Sequence, residues 1–554
     1  MYMFYKGIIF DLDDTLYDYK KCHETAIATV INYIIEHNDK HKNYEYIFEV
    51  YNKINNKLKH ELKNTASSHN KSIYLKHLLE ELNLDYSHFQ MLHELYWTIF
   101  YTNMDCFEGV KDFIIWNKTN GIKIGILTDY ETEYQIIKLE NLGLLSYIDH
   151  IVTSEEVGIE KPSVNMFFQM LRKMNLLGDE LIMIGDNYEK DIIGALNIGV
   201  KSYWFNKNNI NCNNFTELHS KFYEIHHNLN ELKNISKYCG ERFDLVQAGG
   251  GNTSVKVDDL MFIKASGYNL TNIDEKNGYV VINNKLVIED IKKNDVSNNI
   301  TKYNYIGKKR ASIETFMHSI VKKYTIHLHP IQINKILISK NVKEIVNQIY
   351  PSGLIIEYLT PGIKVCNEIN KCYDNHNVIF LLNHGIIITS DDIKQIYILL
   401  EDVIARFEKY QNINFDRYKS TNNISDIINK KCNLANVTYL CEDEIINKYF
   451  LNKKELFKMK ISFPDALIYC GVKILFNIDN LNDYIKSVGE SPKIIVENDL
   501  IYINSHNLQK CKEIEDVFKC NIMILDSDFD KCFLSFEEIC FLNNWDAEKY
   551  RKNL

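Results

Sequence analysis

A short apolar run near the start of the chain ends in two carboxylates. Residues 7–10 are Gly-Ile-Ile-Phe, and Asp11 and Asp13 follow them. Side chains alternate between the two faces of a strand, so this spacing sends both acids to the same side of a sheet. Paired acids are costly to hold together unless a cation is close to them. The pattern predicts a buried strand that delivers both acids to metal-assisted phosphate chemistry; an acidic surface turn is the simpler alternative.

Further along the chain, polar residues stand directly after apolar runs or before a proline. They are Thr128 and Asp129 after residues 122–127, Lys161 before Pro162, and Asp186 and Asp191 after residues 181–184. Each piece alone is weak, because Thr-Asp after a strand is usually a helix cap and Lys-Pro is usually a loop. Together with the Asp11 and Asp13 motif they make four pieces in order, separated by helical segments. This order indicates one site that combines acids for a divalent ion with groups for a phosphoryl oxygen.

In these motifs residues 1–206 resemble the haloacid dehalogenase superfamily. The resemblance implies an α/β fold with a Rossmann-like, doubly wound phosphatase core, in which Asp11 is the nucleophile that forms an aspartyl-phosphate and Asp13 is the acid/base. Phosphatases of this superfamily keep the second acid, and dehalogenases do not. The resemblance also assigns phosphate contacts and Mg²⁺ ligands: Thr128, Asp129 and Lys161 for the phosphate, and Asp11, Asp13, Asp186 and Asp191 for the metal ion.

Residues 16–120 lie between the first and second motifs and look helical, as in the run Ala-Ile-Ala-Thr-Val-Ile at residues 26–31. Their position resembles the helical cap that screens the site of these enzymes from water and selects the substrate. We therefore expect the determinants of specificity in this segment.

Length and composition limit the class of protein. A chain of 554 residues is too long for one core, so two or three domains are expected. The net charge of −10 argues against a nucleic-acid or membrane-surface partner, and no apolar stretch reaches the ~20 residues that span a bilayer. The 13 cysteines include no Cys-x-x-Cys pair, and Asp11 comes too early for a signal peptide, so we expect a cytoplasmic protein with reduced thiols.

A polar, turn-rich stretch at residues 206–214 predicts a linker, placed at residues 207–230, before a second domain at residues 231–554. This domain opens with Gly249, Gly250 and Gly251, whose backbone amides can approach an anion closely, followed by Asn252 and Thr253. A Lys-Ala-Ser-Gly segment at residues 264–267 repeats this arrangement after the next predicted strand. A glycine run alone is more often a hairpin turn, so the motif needs further support.

Histidines supply that support. His327 and His329 are two residues apart on an apolar strand, so both imidazoles point to one face and can share a cation. His384 follows another apolar run, in an Asn-His-Gly segment, and Glu314 lies apart from all three in sequence. Three histidines that leave a fourth position open are typical of a catalytic zinc site rather than a structural one.

The second domain resembles class II aldolases, most closely the long form related to the aldolase half of rhamnulose-phosphate aldolase/dehydrogenase proteins. By this resemblance His327, His329 and His384 bind Zn²⁺ or another divalent transition metal, and Glu314 moves the proton next to the substrate carbonyl. It assigns the substrate phosphate to Asn252, Thr253, Ser266, Gly267 and Ser312. Tyr358 corresponds loosely to a catalytic tyrosine that reaches a neighbouring subunit, so a homo-oligomer formed through this domain is expected.

The bifunctional relatives carry a dehydrogenase after the aldolase, and none follows here, so nicotinamide chemistry is not expected. Residues of about 430–554 resemble the C-terminal extension of the family and receive no chemistry.

Together the two halves predict a bifunctional enzyme acting on a small phosphorylated sugar and a short aldehyde. An aldol addition of dihydroxyacetone phosphate would give a ketose phosphate, and the phosphatase would release the free ketose. One alternative is a dehydratase and phosphatase pair, as in methionine salvage. Another is that one half serves only as a binding or assembly module, as in aldolase-like domains that lack the histidines.

Overall fold

Five short apolar segments form a parallel sheet in the computed structural model. The strands are β1 (Gly7–Phe10), β2 (Lys123–Thr128), β3 (His150–Thr153), β4 (Leu181–Gly185) and β5 (Lys201–Trp204). Their order is β3-β2-β1-β4-β5, and every pairing is parallel. Because the chain runs outward from β1 on one side and then crosses to β4 on the other, a crevice is expected beyond the carboxyl ends of β1 and β4.

Helices cover both faces of this sheet, which is the doubly wound arrangement that the resemblance implies. The first unit contains α1 (Tyr19–Glu36), α2 (Tyr44–Glu61), α3 (Lys71–Glu81), α4 (Phe89–Thr102), α5 (Val110–Thr119), α6 (Thr132–Asn141), α7 (Ser154–Val157), α8 (Val164–Met174) and α9 (Gly194–Leu196). Ile8 and Phe10 pack on the side of Phe113 in α5, whereas Ile9 packs with Met170 of α8 on the opposite side. Strands buried on both faces read as continuous apolar runs, as these do.

Five helices, α1 to α5, fall inside the predicted cap segment. Three of them begin at a side-chain cap, in which Asp18, Asn43 or Asn70 accepts a hydrogen bond from a backbone amide. In α5, however, Phe113 packs edge-on against Phe10 of β1 with ring centroids 6.1 Å apart. The C-terminal end of the segment therefore belongs to the layer over the sheet.

The chain divides into two compact units, residues 1–226 and 227–554. The structure describes residues 5–38, 43–205, 215–274, 277–293, 295–296, 299–306, 309–458 and 460–545. Part of the predicted linker, residues 207–214, lies outside this description. Residues 215–230 are helical, because they form the first part of α10 (Phe215–Gly240).

The second unit contains a mixed sheet of eight strands. They are β6 (Asn252–Val257), β7 (Leu260–Lys264), β8 (Tyr279–Asn283), β9 (Asn304–Ile306), β10 (Tyr324–Leu328), β11 (Leu354–Ile356), β12 (Val378–Leu381) and β13 (Gly385–Ser390). Their order is β11-β12-β13-β10-β6-β7-β8-β9, antiparallel except for the pair β11 and β12. Strand β10 lies between β6 and β13, so His327 is placed beside Asn252 on one side and Ile387 on the other.

A four-stranded sheet lies further along the chain, in order β14-β17-β16-β15. Its strands are β14 (Val437–Leu440), β15 (Leu475–Phe476), β16 (Ile494–Glu497) and β17 (Leu500–Ser505). Separate apolar clusters cover its two faces. The predicted C-terminal extension therefore has a core of its own.

The remaining helices of the second unit pack around these two sheets. They are α11 (Asn284–Lys293), α12 (Thr315–Ser319), α13 (Ile331–Leu337), α14 (Val342–Ile349), α15 (Ile363–Cys372), α16 (Ile393–Gln411), α17 (Asp416–Cys432), α18 (Glu444–Asn452), α19 (Pro464–Cys470), α20 (Leu481–Val488), α21 (Leu508–Leu525) and α22 (Phe536–Asn544). Among the residues described, none of the helices of the protein is both long and apolar enough to cross a membrane. The twelve cysteines in that set are free thiols.

Candidate active sites

Three carboxylates meet at the carboxyl edge of the parallel sheet. Asp11 follows β1, Asp186 follows β4, and Asp191 lies in a π-helical segment at Tyr188–Ile193. One oxygen of each carboxylate lies within 4.8 Å of the others. The Asp11 amide donates to the carbonyl of Ile184 at 2.9 Å, which ties the two strand ends together. Hard carboxylate oxygens grouped in this way are the ligands that Mg²⁺ prefers.

Lys161 supplies the positive charge inside this cluster. Its Nζ donates to Oδ1 of Asp11 and to Oδ1 of Asp191, both at 2.6 Å, and its side chain is almost fully buried. Burial still raises the pKa of Asp11 well above its usual value, and it raises the pKa of Asp186 to about 6. One lysine does not balance three acids, so the donor set fits an additional divalent cation.

The Asp13 carboxylate is not part of this cluster. Lys138 Nζ donates to its two oxygens at 2.8 and 3.1 Å, Gln135 donates at 3.1 Å, and the Tyr17 hydroxyl donates as well. Burial acts to raise the pKa of Asp13, but Lys138 and these donors lower it overall. Strand alternation predicts that Asp13 points to the same side as Asp11. However, β1 ends at Phe10, so the alternation does not extend to Asp13. We therefore withdraw the Asp13 side chain from the predicted Mg²⁺ ligands.

Thr128 and Asp129 lie beside the same site at the end of β2. The Thr128 hydroxyl accepts a hydrogen bond from Gln135 at 2.6 Å. The Asp129 carboxylate accepts from the Lys161 amide at 2.9 Å and pairs with Lys190 Nζ at 2.8 Å. Its side chain therefore anchors two lysine-bearing segments in this structure.

Three polar partners at this site, Gln135, Lys138 and Lys190, were not predicted from the sequence. Gln135 and Lys138 are buried, and both lie on α6, the helix that begins shortly after Asp129. Their spacing of three residues on a helix that leaves a strand end is a signal that such residues can reach the site. Lys190 stands directly before Asp191 in the sequence, and this position next to a predicted site residue could have indicated it.

A cavity of about 390 Å³ connects these groups with the helices of the cap segment. Its walls include the acids and lysines already described together with Tyr19, His23, Lys59, Lys71 and Trp97. Asp11 and Asp13 both line it, although their carboxylates have different partners. A cavity of this size matches the volume of small-molecule sites.

The second site brings three imidazoles to one point. His327 Nε2 lies 3.1 Å from His329 Nε2 and 3.3 Å from His384 Nε2. Glu314 Oε1 lies 3.3 Å from the same nitrogen of His327 and 3.2 Å from that of His384. These four ligand atoms all lie within 4.8 Å of one another. Three imidazole nitrogens with a carboxylate are a donor set that fits zinc or a similar transition metal.

The local backbone explains how these side chains converge. His327 Nδ1 lies 2.9 Å from the carbonyl of Ile386 on the adjacent β13, so Nδ1 carries the proton and Nε2 is left to bind a metal. Asn383, just before His384, has a φ of 55°, which turns the chain sharply. A Cβ atom at Gly385 would clash with the carbonyl oxygen of Leu328 and lie 2.8 Å from His329 Cδ2, so glycine is required there.

Glu314 precedes α12 and is held from the side opposite the histidines. Asn252 Nδ2 donates to Glu314 Oε2 and, at 3.2 Å, to the hydroxyl of Ser312. Burial acts to raise the pKa of Glu314, but His327 and His384 lower it overall. Asn252 Oδ1 is buried and has no hydrogen-bond partner among the residues that the structure describes. An orphaned acceptor beside the carboxylate indicates a place for a donor from a ligand.

The remaining predicted phosphate contacts are not all brought together. Thr253 is fully buried, and its hydroxyl lies 2.6 Å from that of Ser236 in α10, on the face of the sheet opposite Asn252. Adjacent residues of a strand point to opposite faces. The prediction that the Thr253 side chain binds the substrate phosphate together with Asn252 is therefore corrected. Ser266 and Gly267 form an exposed turn, and the Tyr358 side chain is 58% exposed.

Lys264 is a further residue whose role the sequence analysis missed, although it stands in the Lys-Ala-Ser-Gly motif. It is buried, and its Nζ donates to the carbonyl of Gly249 at 3.1 Å and to that of Tyr268 at 2.7 Å. These bonds tie the glycine-rich segment to the turn at Ser266 and Gly267. The two segments predicted to bind phosphate are thus joined by one cation.

Comparisons with known proteins identify both domains. Residues 8–205 match the family model described as haloacid dehalogenase-like hydrolase, and residues 230–410 match the class II aldolase and adducin N-terminal domain. A ribulose-1,5-bisphosphate 5-phosphatase of Halopiger xanaduensis is 32% identical over 208 residues, which are 36% of this chain and 84% of the relative. A glyceraldehyde 3-phosphate phosphatase of Pyrococcus furiosus is 30% identical over 202 residues, 36% of this chain and 80% of the relative.

Among solved structures, the N-terminal class II aldolase domain of a conserved protein from Thermoplasma acidophilum is 25% identical. The match covers 33% of this chain and 92% of that chain, with a TM-score of 0.31.

Proposed function

Because the chain belongs to the haloacid dehalogenase-like hydrolases and also carries a class II aldolase domain, we propose that it is a bifunctional sugar-phosphate enzyme. One site adds dihydroxyacetone phosphate to a short aldehyde and gives a ketose phosphate. The other site removes the phosphate and releases the free ketose. Hydrolysis removes the ketose phosphate and so draws the readily reversible aldol step toward synthesis. This is a chemical reason for the two domains to occur in one chain.

In the phosphatase half, the Asp11 carboxylate attacks phosphorus, the bond from phosphorus to the sugar oxygen breaks, and Asp13 in its acid form gives a proton to the departing oxygen. Lys161 holds Asp11 in place and balances charge on the transferred group. Asp13, then ionised and paired with Lys138, takes a proton back from the water that attacks the aspartyl-phosphate, and inorganic phosphate is released. Asp11, Asp186 and Asp191 would hold Mg²⁺, which neutralises charge on the phosphoryl oxygens. The two relatives named above are phosphatases of small sugar phosphates, which supports this substrate class.

In the aldolase half, Glu314 takes a proton from the carbon beside the carbonyl of dihydroxyacetone phosphate. The resulting carbanion equivalent adds to the aldehyde carbon, and the protonated Glu314 gives its proton to the new alkoxide oxygen. Asn252 positions Glu314 and offers its free Oδ1 to a substrate hydroxyl. His327, His329 and His384 would hold Zn²⁺ or a similar ion, which polarises the substrate oxygens and so acidifies that carbon.

One observation carries the aldol half of the proposal. Three imidazoles and Glu314 meet within 4.8 Å, although residues as far apart as 314 and 384 contribute to the group. A domain that served only for assembly would have no need to bury a carboxylate against three histidines, because such a cluster is costly without a metal.

The test is to incubate the protein with dihydroxyacetone phosphate and a panel of short aldehydes, and to follow ketose and free phosphate by NMR. The proposal predicts a new free ketose and an equal amount of phosphate, both dependent on the aldehyde. Product formed from a single sugar phosphate, with loss of water and without any aldehyde, would replace the aldol assignment by the dehydratase alternative.

A further inference from the structure

The phosphatase cavity has two chemically different walls. The edge of the sheet contributes the acids, whereas helices α1 to α4 contribute aromatic and basic side chains. Among these, Lys59 of α2 and Lys71 of α3 are the lysines, and both line the cavity. The second wall belongs to the segment predicted to select the substrate, and it faces whatever occupies the cavity.

The lysines on the acidic wall are all paired with carboxylates. Lys138 pairs with Asp13 at 2.8 Å, and Lys190 pairs with Asp129 at the same distance. Lys161 pairs with Asp11 at 2.6 Å. Their positive charges are therefore already used inside the protein. They leave little net attraction for a second anion.

Lys71 differs from them. Lys71 is only 6% exposed. Its Nζ lies 4.7 Å from the ring centroid of Tyr74 and 5.9 Å from that of Tyr19. Within the described residues, no carboxylate oxygen lies within 4.0 Å of the ammonium of Lys71 or of Lys59. Two ammonium groups that have no carboxylate partner among the described residues thus line the same cavity.

Such an arrangement costs stability unless something binds there. A buried charge without a partner is unfavourable, and two like charges on one wall add to the cost. Burial, together with Lys59 and Lys138, lowers the pKa of Lys71 to about 7. A bound anion would remove this cost, because it supplies the missing partner.

We propose that the phosphatase substrate carries a second anionic group, a phosphate or a carboxylate, at its far end and that Lys71, assisted by Lys59, binds it. This inference rests on the phosphatase half of the proposed function. It also restricts the aldol half: an aldehyde that itself carries a phosphate would give a ketose with anionic groups at both ends.

Two matched substrate pairs test the proposal. Fructose 6-phosphate and fructose 1,6-bisphosphate differ by a second phosphate, and glycerol 3-phosphate and 3-phosphoglycerate differ by a carboxylate. In at least one pair, kcat/KM should be roughly 10- to 100-fold higher for the doubly anionic member, through a lower KM. The pair that shows the preference identifies which anion is recognised.

Lys71→Met keeps the aliphatic stem, removes the charge and should lower that ratio at least tenfold, whereas Lys71→Arg should retain part of it. Lys57→Met is the matched control, since Lys57 is an exposed lysine of α2 that does not line the cavity. Thermal unfolding of each variant checks folding, and Lys71→Met should be as stable as the wild type or more so.

Equal loss of kcat/KM on both members of a pair in Lys71→Met would overturn the inference, because it would mean a structural role. Hydrolysis by the wild type without any preference would also overturn it and would leave the phosphatase assignment intact. If the wild type hydrolyses none of these compounds and no p-nitrophenyl phosphate, the phosphatase assignment fails and the inference falls with it.

Discussion

The two candidate sites solve different electrostatic problems with different parts of a sheet. The first collects Asp11, Asp186 and Asp191 on loops beyond the ends of parallel strands and balances them partly with Lys161. The second places a histidine on a central antiparallel strand and surrounds it with two more imidazoles. Oxygen ligands with excess negative charge suit Mg²⁺, whereas imidazoles suit zinc. We therefore expect the two sites of this chain to require different metal ions.

The largest effect is expected from replacing Asp11, the proposed nucleophile of the phosphatase site. Asp11→Asn should lower phosphate release by roughly 10⁵-fold or more, because an amide cannot form the acyl-phosphate bond. Aldol addition should stay at the wild-type rate. Phosphate release is measured with a colorimetric assay, and near-normal hydrolysis by this variant would remove Asp11 from the mechanism.

Glu314→Gln is the corresponding change at the second site. Loss of the proton shuttle should lower aldol addition by roughly 10²- to 10⁴-fold. The variant should still hydrolyse an added ketose phosphate as fast as the wild type does. Exchange of a substrate proton with deuterated water, followed by NMR, measures the proton-transfer step directly and should fall by the same factor.

Metal replacement sharpens the contrast between the two sites. After removal of metals by a chelator, Mg²⁺ alone should restore phosphate release, and zinc or another transition metal should restore aldol addition. Each activity should fall to a few per cent or less without its own ion, since the ion supplies a large share of charge stabilisation. Elemental analysis of the purified protein gives an independent check. Full aldol activity in protein free of transition metals would contradict the histidine site.

A smaller effect distinguishes neighbouring residues of one strand. Asn252→Ala should lower aldol kcat/KM by roughly 10- to 100-fold, because it removes a hydrogen bond to the Glu314 carboxylate. Thr253→Val is the matched control on the opposite face of β6, and its aldol kinetics should stay near the wild-type values. A loss in Thr253→Val as large as that in Asn252→Ala would restore Thr253 to the substrate site.

Positions at strand ends were predictable from the sequence. Apolar runs stop where buried strands stop, so Asp11, Thr128 and Asp186 could be expected at one edge of the sheet. The histidine pair was predictable for a similar reason, since residues two apart on a strand share a face.

The direction of the Asp13 carboxylate was not predictable by that rule. It depends on Lys138, which comes from a helix more than a hundred residues away. Strand alternation could have predicted that the side chains of Asn252 and Thr253, which are adjacent in β6, point to opposite faces of the sheet. The Lys71 wall depends on how the cap helices pack, and no local pattern encodes such packing.

The central claim is that the two sites act in sequence, and the two variants test it in one experiment. Each protein is given dihydroxyacetone phosphate and the active aldehyde, and the products are followed by phosphorus and carbon NMR. Asp11→Asn protein should accumulate the phosphorylated ketose, and Glu314→Gln protein should form no new carbon–carbon bond. Free ketose from the Asp11→Asn protein at the wild-type rate, or a dehydrated diketone phosphate formed without the aldehyde, would contradict the account.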